Sequence, residues 1–246
     1  MGSEMVTQQE TARVEQIMKE LEALGSATTK RVLLKHGAKE PLFAVKVGDL
    51  KPIQKRIKQN YALALGLYAT GNSDAMYLAG LIADDMKMTR EDLNRWAEQA
   101  PWSLIAENTV AWVAAGSQFG YELALEWIDS PHEIVATCGW ATLSSLVGIT
   151  EDAKLDVDGL RRLLQRVEKT LQAQPNRVRS TMNGFVISVA TYVRPLTDRA
   201  IEVATNLGKV TVDVGDTACK VPDAVPYIQK CIAHNPTAKK RKTAKC

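Results

Sequence analysis

The chain has 246 residues, 46% of them hydrophobic and 24% charged, an ordinary globular composition that excludes wholesale disorder. With 9 Pro and 15 Gly it is neither collagen-like nor of low complexity. The formal net charge of +3 belongs to one segment: Lys239, Lys240, Arg241, Lys242 and Lys245 stand in the last eight residues, and the remainder, with 26 basic against 28 acidic residues, is near neutral.

The first twenty-five residues hold five acids (Glu4, Glu10, Glu15, Glu20, Glu22) and no apolar segment, so the sequence predicts no secretory signal and a soluble, cytoplasmic protein. Helical periodicity follows at once, with Val14, Ile17, Met18, Leu21 and Leu24 on one face. Gly25, Gly37, Gly71 and Gly208 read as helix stops. Thr89-Arg90-Glu91-Asp92 reads as a helix start. Ser130-Pro131-His132-Glu133 reads as a stronger one, with an N-cap, a first-turn proline and a capping-box glutamate. Three stretches lack charge, 108–121, 134–150 and 180–193. The middle one is short for a membrane span and carries Thr137, Thr142, Ser144 and Ser145, so it is read as a buried helix. Amphipathic segments, Tyr121–Asp129 and Asp158–Gln172, alternate with these uncharged ones, which implies stacked layers.

The predicted fold is therefore all-α: about a dozen helices in an α-α superhelix, a HEAT/ARM-like solenoid. No repeat of fixed period is present, so a compact helical bundle stands as the alternative. Period-2 alternation occurs only in Lys209–Val214, too little for a sheet. The irregular segment Gly208–Pro222, with Asp213, Asp216, Cys219 and Lys220, is either an end cap of the solenoid or part of a site. The sequence divides into one domain over 1–238 and a disordered basic tail over 239–246.

No phosphate-binding loop, dinucleotide fingerprint, zinc-protease or nucleophile-elbow motif is present. Cys138, Cys219, Cys231 and Cys246 form no CxxC, and His36, His132 and His234 lie far apart, so no metal site is predicted. The cysteines read as reduced thiols, with Cys246 exposed and oxidisable. All five tryptophans fall between 96 and 140. They read as core, with Trp102, after Pro101, the one placed to face a cleft and stack on a base. Glu107 is the only charge between Gln99 and Tyr121: either an exposed face of a buried helix or a carboxylate that stabilises a developing positive charge. Two basic runs stand out: Lys46–Lys58, including Lys46 and Lys51, and Arg161–Met182, including Arg162, Arg166, Lys169, Arg177 and Arg179. Such runs are either solvated helix faces or a phosphate-tracking surface.

Phe43-Ala44-Val45-Lys46-Val47-Gly48-Asp49-Leu50-Lys51-Pro52-Ile53 resembles the opening motif of the AlkD-like DNA alkylation repair family. Leu67-Tyr68 and Asp74-Ala75-Met76-Tyr77-Leu78-Ala79 resemble its next helix pair. Trp127-Ile128 and Asn183-Gly184-Phe185-Val186 stand where that family has comparable helices. The likeness runs over residues 40–200. It implies a HEAT-like solenoid whose concave basic surface holds duplex DNA, and active members that release N3- or N7-alkylated purines without a metal. The family's active pattern is a tryptophan, an adjacent aspartate, and a catalytic aspartate four residues after the tryptophan. Trp102 matches the tryptophan, Ser103 and Ala106 stand at the aspartate positions, and Glu107 is one residue late, about 100° further round an α-helix. The expected arginine falls near Thr137, and Phe185 keeps an aromatic where the family has a second tryptophan.

A glycosylase needs a carboxylate against an oxocarbenium-like sugar. The resemblance therefore implies a DNA-binding protein of the DNA alkylation repair type that is catalytically weak or inactive. If it is an enzyme, it is a monofunctional alkylpurine DNA glycosylase with Glu107 as its carboxylate. The implied partner is duplex or branched DNA, alkylated or not, held by a monomer that needs no cofactor, metal or membrane. The contacts implied are Trp102, Phe185, Arg162, Arg166, Lys169, Arg177, Arg179, Lys46 and Lys51. A protein-binding α-solenoid scaffold is the alternative that the near-neutral body favours.

Overall fold

The computed structural model describes residues 8–215 and 217–245, so the readings on Asp216 and Cys246 lie outside the described residues. The described residues form thirteen α-helices: α1 (Gln8–Ala23), α2 (Ala27–Lys35), α3 (Val47–Ile57), α4 (Tyr61–Ala69), α5 (Ser73–Ile82), α6 (Arg90–Gln99), α7 (Ala111–Gly116), α8 (Gly120–Trp127), α9 (Glu133–Ile149), α10 (Val157–Thr170), α11 (Asn176–Tyr192), α12 (Thr197–Leu207) and α13 (Ala224–His234). A π-helical turn, Ile105–Val110, runs directly into α7. Among the described residues there is no strand, and Lys209–Val214 is irregular. No helix among them is long and apolar enough to cross a membrane.

Local chemistry sets the helix ends. Thr89 and Asp92 form the reciprocal capping box that starts α6. Gly37, Gly71 and Gly208 take positive φ of 87°, 69° and 62°, the left-handed turn that halts a helix and favours glycine. The start predicted at Ser130 is displaced: His132 is the N-cap of α9, and Ser130 Oγ instead accepts the His132 N–H at 3.2 Å.

The helices stack in two rows. The outer row, α4, α6, α8, α10 and α12, is stitched by polar contacts at every step. Tyr61 Oη donates to Asp92 at 2.6 Å, Trp127 Nε1 to Asn94 at 2.8 Å, Arg166 pairs with Asp129 at 2.7 Å, and Arg199 pairs with Glu168. The inner row is α5, the π turn with α7, α9, α11 and then α13. It is almost free of charge, because it is covered on the outside and shaped on the inside by small residues. One apolar cluster fills the layers from α1 to α9 and a second those from α8 to α13. All five tryptophans are buried, Trp96 stacking on Tyr68 at 4.0 Å between ring centroids.

The tail expected to be disordered is instead packed against the body. Lys240 and Lys245 are 8% and 11% exposed in their ion pairs with Asp152 and Asp85, and Ala244 is buried. A sequence count sees only loose cations there. The acids and carbonyls that hold them come from residues 83–192.

Candidate functional site

The inner helices run parallel, so one edge of the row collects their N-termini and the other their C-termini. Trp102 Nε1 donates to Ser73 Oγ at 3.2 Å, and the Arg177 backbone N–H donates to Glu133 Oε1 at 2.7 Å, which ties neighbouring N-terminal ends together. Between the edges the floor is small and polar: Asn108, Ser144, Ser145, Ser180, Thr181, Gly184 and Ser188 surround a hollow of about 260 Å³. Side chains this short leave room for another backbone to approach.

Glu107 and Arg177 meet across this floor. Arg177 Nη2 and Nε both donate to Glu107 Oε1, at 2.5 and 3.2 Å. The π turn that holds Glu107 and the helix α11 that holds Arg177 flank α9, and they touch over it. That is possible only on the concave side of the row. Burial pushes the Glu107 carboxyl above the usual glutamate range, while the Arg177 guanidinium pulls it back down. Beneath them the Cys138 thiol is fully buried and strongly raised by the same desolvation, with the Glu107 charge adding to it, so it is inert.

Trp102 O accepts the Ala106 N–H at 3.2 Å, an α-helical i→i+4 bond, so Glu107 stands one residue past that position, as its spacing predicts, and the wider i→i+5 turn runs over Ile105–Val110. Trp102, Ser103, Glu107, Asn108 and Arg177 nevertheless line one cleft of about 540 Å³. Its other wall is Leu33, Lys35, His36 and Gly37 at the end of α2 with residues 213–215 and 219–222 of the irregular segment. Asn176 fixes that segment with a pair of hydrogen bonds to the Asp213 backbone, at 2.6 and 2.7 Å. Asn183 Nδ2 reaches Pro222 O at 3.0 Å, and Cys219 Sγ lies 3.6 Å from His36 Nδ1. The segment is thus a wall of the cleft.

Other sequence-predicted residues are distributed differently. Phe185 is fully buried against Trp140, at 5.3 Å between ring centroids, so it has no surface to offer a ligand. Arg162, Arg166 and Lys169 lie on α10 in the outer row, away from the floor. Arg162 faces Asp156 at 3.6 Å, while Arg166 pairs with Asp129 and reaches over Trp140. Arg179 bonds Asn176 Oδ1 at 3.2 Å, next to the cleft wall. Lys46 caps α3 beside a second hollow, of about 270 Å³, which Trp102 also lines. Lys51 sits with Lys55 and Lys58 round Leu81, at the C-terminal end of α5. The sequence reading missed Arg241, which borders the serine-lined floor together with Glu107. No signal within its own neighbourhood could have placed it there. No group of three or more His, Cys, Asp or Glu among the described residues is arranged to hold a metal.

Residues 17–225 match the sequence profile of the family described as DNA alkylation repair enzyme. This chain belongs to that family. It is similar to the uncharacterized proteins Lin0241 of Listeria innocua and Lmo0209 of Listeria monocytogenes, each 36% identical over 222 residues that cover 88% of this chain and 96% of the relative. A solved structure superposes with a TM-score of 0.87 at 36% identity, covering 95% of this chain and 99% of its own. It is described as a new family of proteins related to the HEAT-like repeat DNA glycosylases with affinity for branched DNA structures. The two rows of helices are therefore the HEAT-like fold of a DNA alkylation repair family member.

Proposed function

We propose that this DNA alkylation repair family protein binds branched DNA on its concave face and excises no base. The observation that carries the reading is the Glu107–Arg177 ion pair in the cleft beside Trp102. A carboxylate that stabilises a cationic sugar must have its charge to give. Here that charge is taken by a guanidinium, whose own positive charge would oppose a second cation nearby. The small polar floor and the helix N-termini along one edge suit a phosphate backbone. The structural neighbour's affinity for branched DNA supports the same partner. The test is binding of a four-way junction and of a matched linear duplex, beside release of free base from methylated DNA. Junction preference without base release is expected, and equal affinity for both DNAs would overturn the reading.

A second reading is favoured by the cleft that Glu107 shares with Trp102. In it, Glu107 acts as the carboxylate of an alkylpurine glycosylase once DNA draws Arg177 away. It requires release of 7-methylguanine or 3-methyladenine that is abolished in Glu107→Gln. Release that survives Glu107→Gln removes this residue from the reaction.

A further inference from the structure

The C-terminal edge of the inner row is a place where phosphate should be repelled. Helix C-termini carry partial negative charge on unpaired carbonyls. Three of them, from α5, α9 and α11, lie along this edge, and Asp85 and Asp152 add two full charges. The packed C-terminal segment covers this line. Lys240 Nζ donates to Val147 O of α9 at 2.9 Å and to Tyr192 O of α11 at 2.7 Å, and pairs with Asp152 at 2.7 Å. The Arg241 backbone N–H donates to Gly148 O at 2.8 Å. Lys245 Nζ donates to Ala83 O at the end of α5 at 2.8 Å, and pairs with Asp85 at 2.7 Å.

The five cations divide by role. Lys240 and Lys245 point inward and are used up in neutralising the edge. Lys239, Arg241 and Lys242 are exposed. Arg241 lies over the Tyr192 ring at 5.8 Å and borders the same hollow as Glu107 and Ser188. Beyond Lys245 the line continues onto α3, because Lys51, Lys55 and Lys58 surround Leu81, two residues before Ala83. An edge that would be anionic is turned into a cationic one that runs from α11 to α3.

We propose that residues 239–245 are a built-in charge-reversing strap: Lys240 and Lys245 anchor it to the helix C-termini, and Lys239, Arg241 and Lys242 form a phosphate-binding rail along one side of the concave face. The strap deepens the reading of the protein as a DNA binder and rests on it. It differs from a flexible basic tail because its position matters as well as its charge.

The experiment uses the full chain, a labelled four-way junction and a salt series. Binding by the unaltered protein comes first, since no binding there would sink the DNA reading itself and leave the strap without a ligand. Given binding, Lys239→Ala, Arg241→Ala and Lys242→Ala together should weaken it at least about tenfold and reduce the salt slope by about three, one per lost phosphate contact. The deciding variant is Asp85→Asn with Asp152→Asn. It keeps every basic residue, removes two negative charges and leaves the anchors only their carbonyl contacts. Net charge alone predicts tighter binding. The strap predicts weaker binding, together with faster trypsin cleavage after Lys239 and Lys242. Tighter binding by this variant, or by a chain ending at Ala238, would overturn the proposal and make the segment a block on the groove. If the double variant fails to fold, the triple alanine variant and the shortened chain decide between the same outcomes.

Discussion

The two basic runs that stand out in the sequence end in different surroundings. On α10 and the start of α11, Arg166 and Arg177 meet acids from elsewhere in the chain, Asp129 and Glu107, while Arg161 and Arg162 meet Asp158 and Asp156 at the start of their own helix. On α3 and its C-cap, Lys51, Lys55 and Lys58 instead surround one hollow at the end of α5, and Arg56 pairs with Glu20. A charge count along the chain weighs both runs alike. What separates them is which acids the fold delivers, and those lie up to seventy residues away. The richer run is largely held in ion pairs, and the poorer one borders the C-terminal end of α5.

Unpairing the cleft should have the strongest effect. Arg177→Ala leaves Glu107 ionised in a largely buried place, which should cost about 2 kcal/mol of unfolding free energy, below the full penalty of a wholly buried pair. The same change at Arg162, in an exposed pair, should stay within about 0.5 kcal/mol. Urea unfolding of both variants checks this, and equal losses would mean that the cleft pair is no different from a surface one.

Acidity sharpens the point. Burial raises the folded carboxyl of Glu107 above its ordinary value of 4.5, so its contribution favours the folded state at low pH and is lost as pH rises through the raised value. Without Arg177 the carboxyl rises further. The defect of Arg177→Ala should therefore be largest at pH 7 and shrink as pH falls toward 4.5. A defect independent of pH would assign the loss to packing.

For binding, Lys51→Ala, Lys55→Ala and Lys58→Ala together should lower the salt slope of junction binding by two to three, at about 0.9 per contact. Arg162→Ala with Arg166→Ala should change it by less than about one. A reversal of these two results would return the DNA contact to α10. The smallest effect is expected at Gly148. An added Cβ there meets the Arg241 guanidinium at 2.9 Å, so Gly148→Ala should shift that one side chain and weaken junction binding by only about twofold, measured by the same titration.

The fold was legible because its signals are local. The alternation of uncharged and amphipathic helices gave the two rows, and Thr89 to Asp92 gave a helix start that the structure keeps intact. The candidate site was half legible. Trp102 and Glu107 were found from their setting in an apolar stretch, and they do share a cleft. Their one-residue offset is readable from the spacing, whereas no composition rule announces the π turn at Ile105–Val110. The sequence does not show that Arg177 pairs with Glu107, because its partner lies seventy residues away on another helical segment. Phe185 was assigned to the surface by analogy with an aromatic position, and the core claims it. The packed tail was invisible, because helix ends brought together by the superhelix leave no mark on residues 239–245.

Solenoids resemble coil springs: each turn touches only the next, and either end can loosen without the other. Here the chain doubles back twice. Segment 213–222 returns to His36 on the first helices, and Lys245 returns to Ala83. The last residues of the chain thus hold the first turns in place, as a string holds a bow. Such an arc should resist flattening, and its two ends should come undone together.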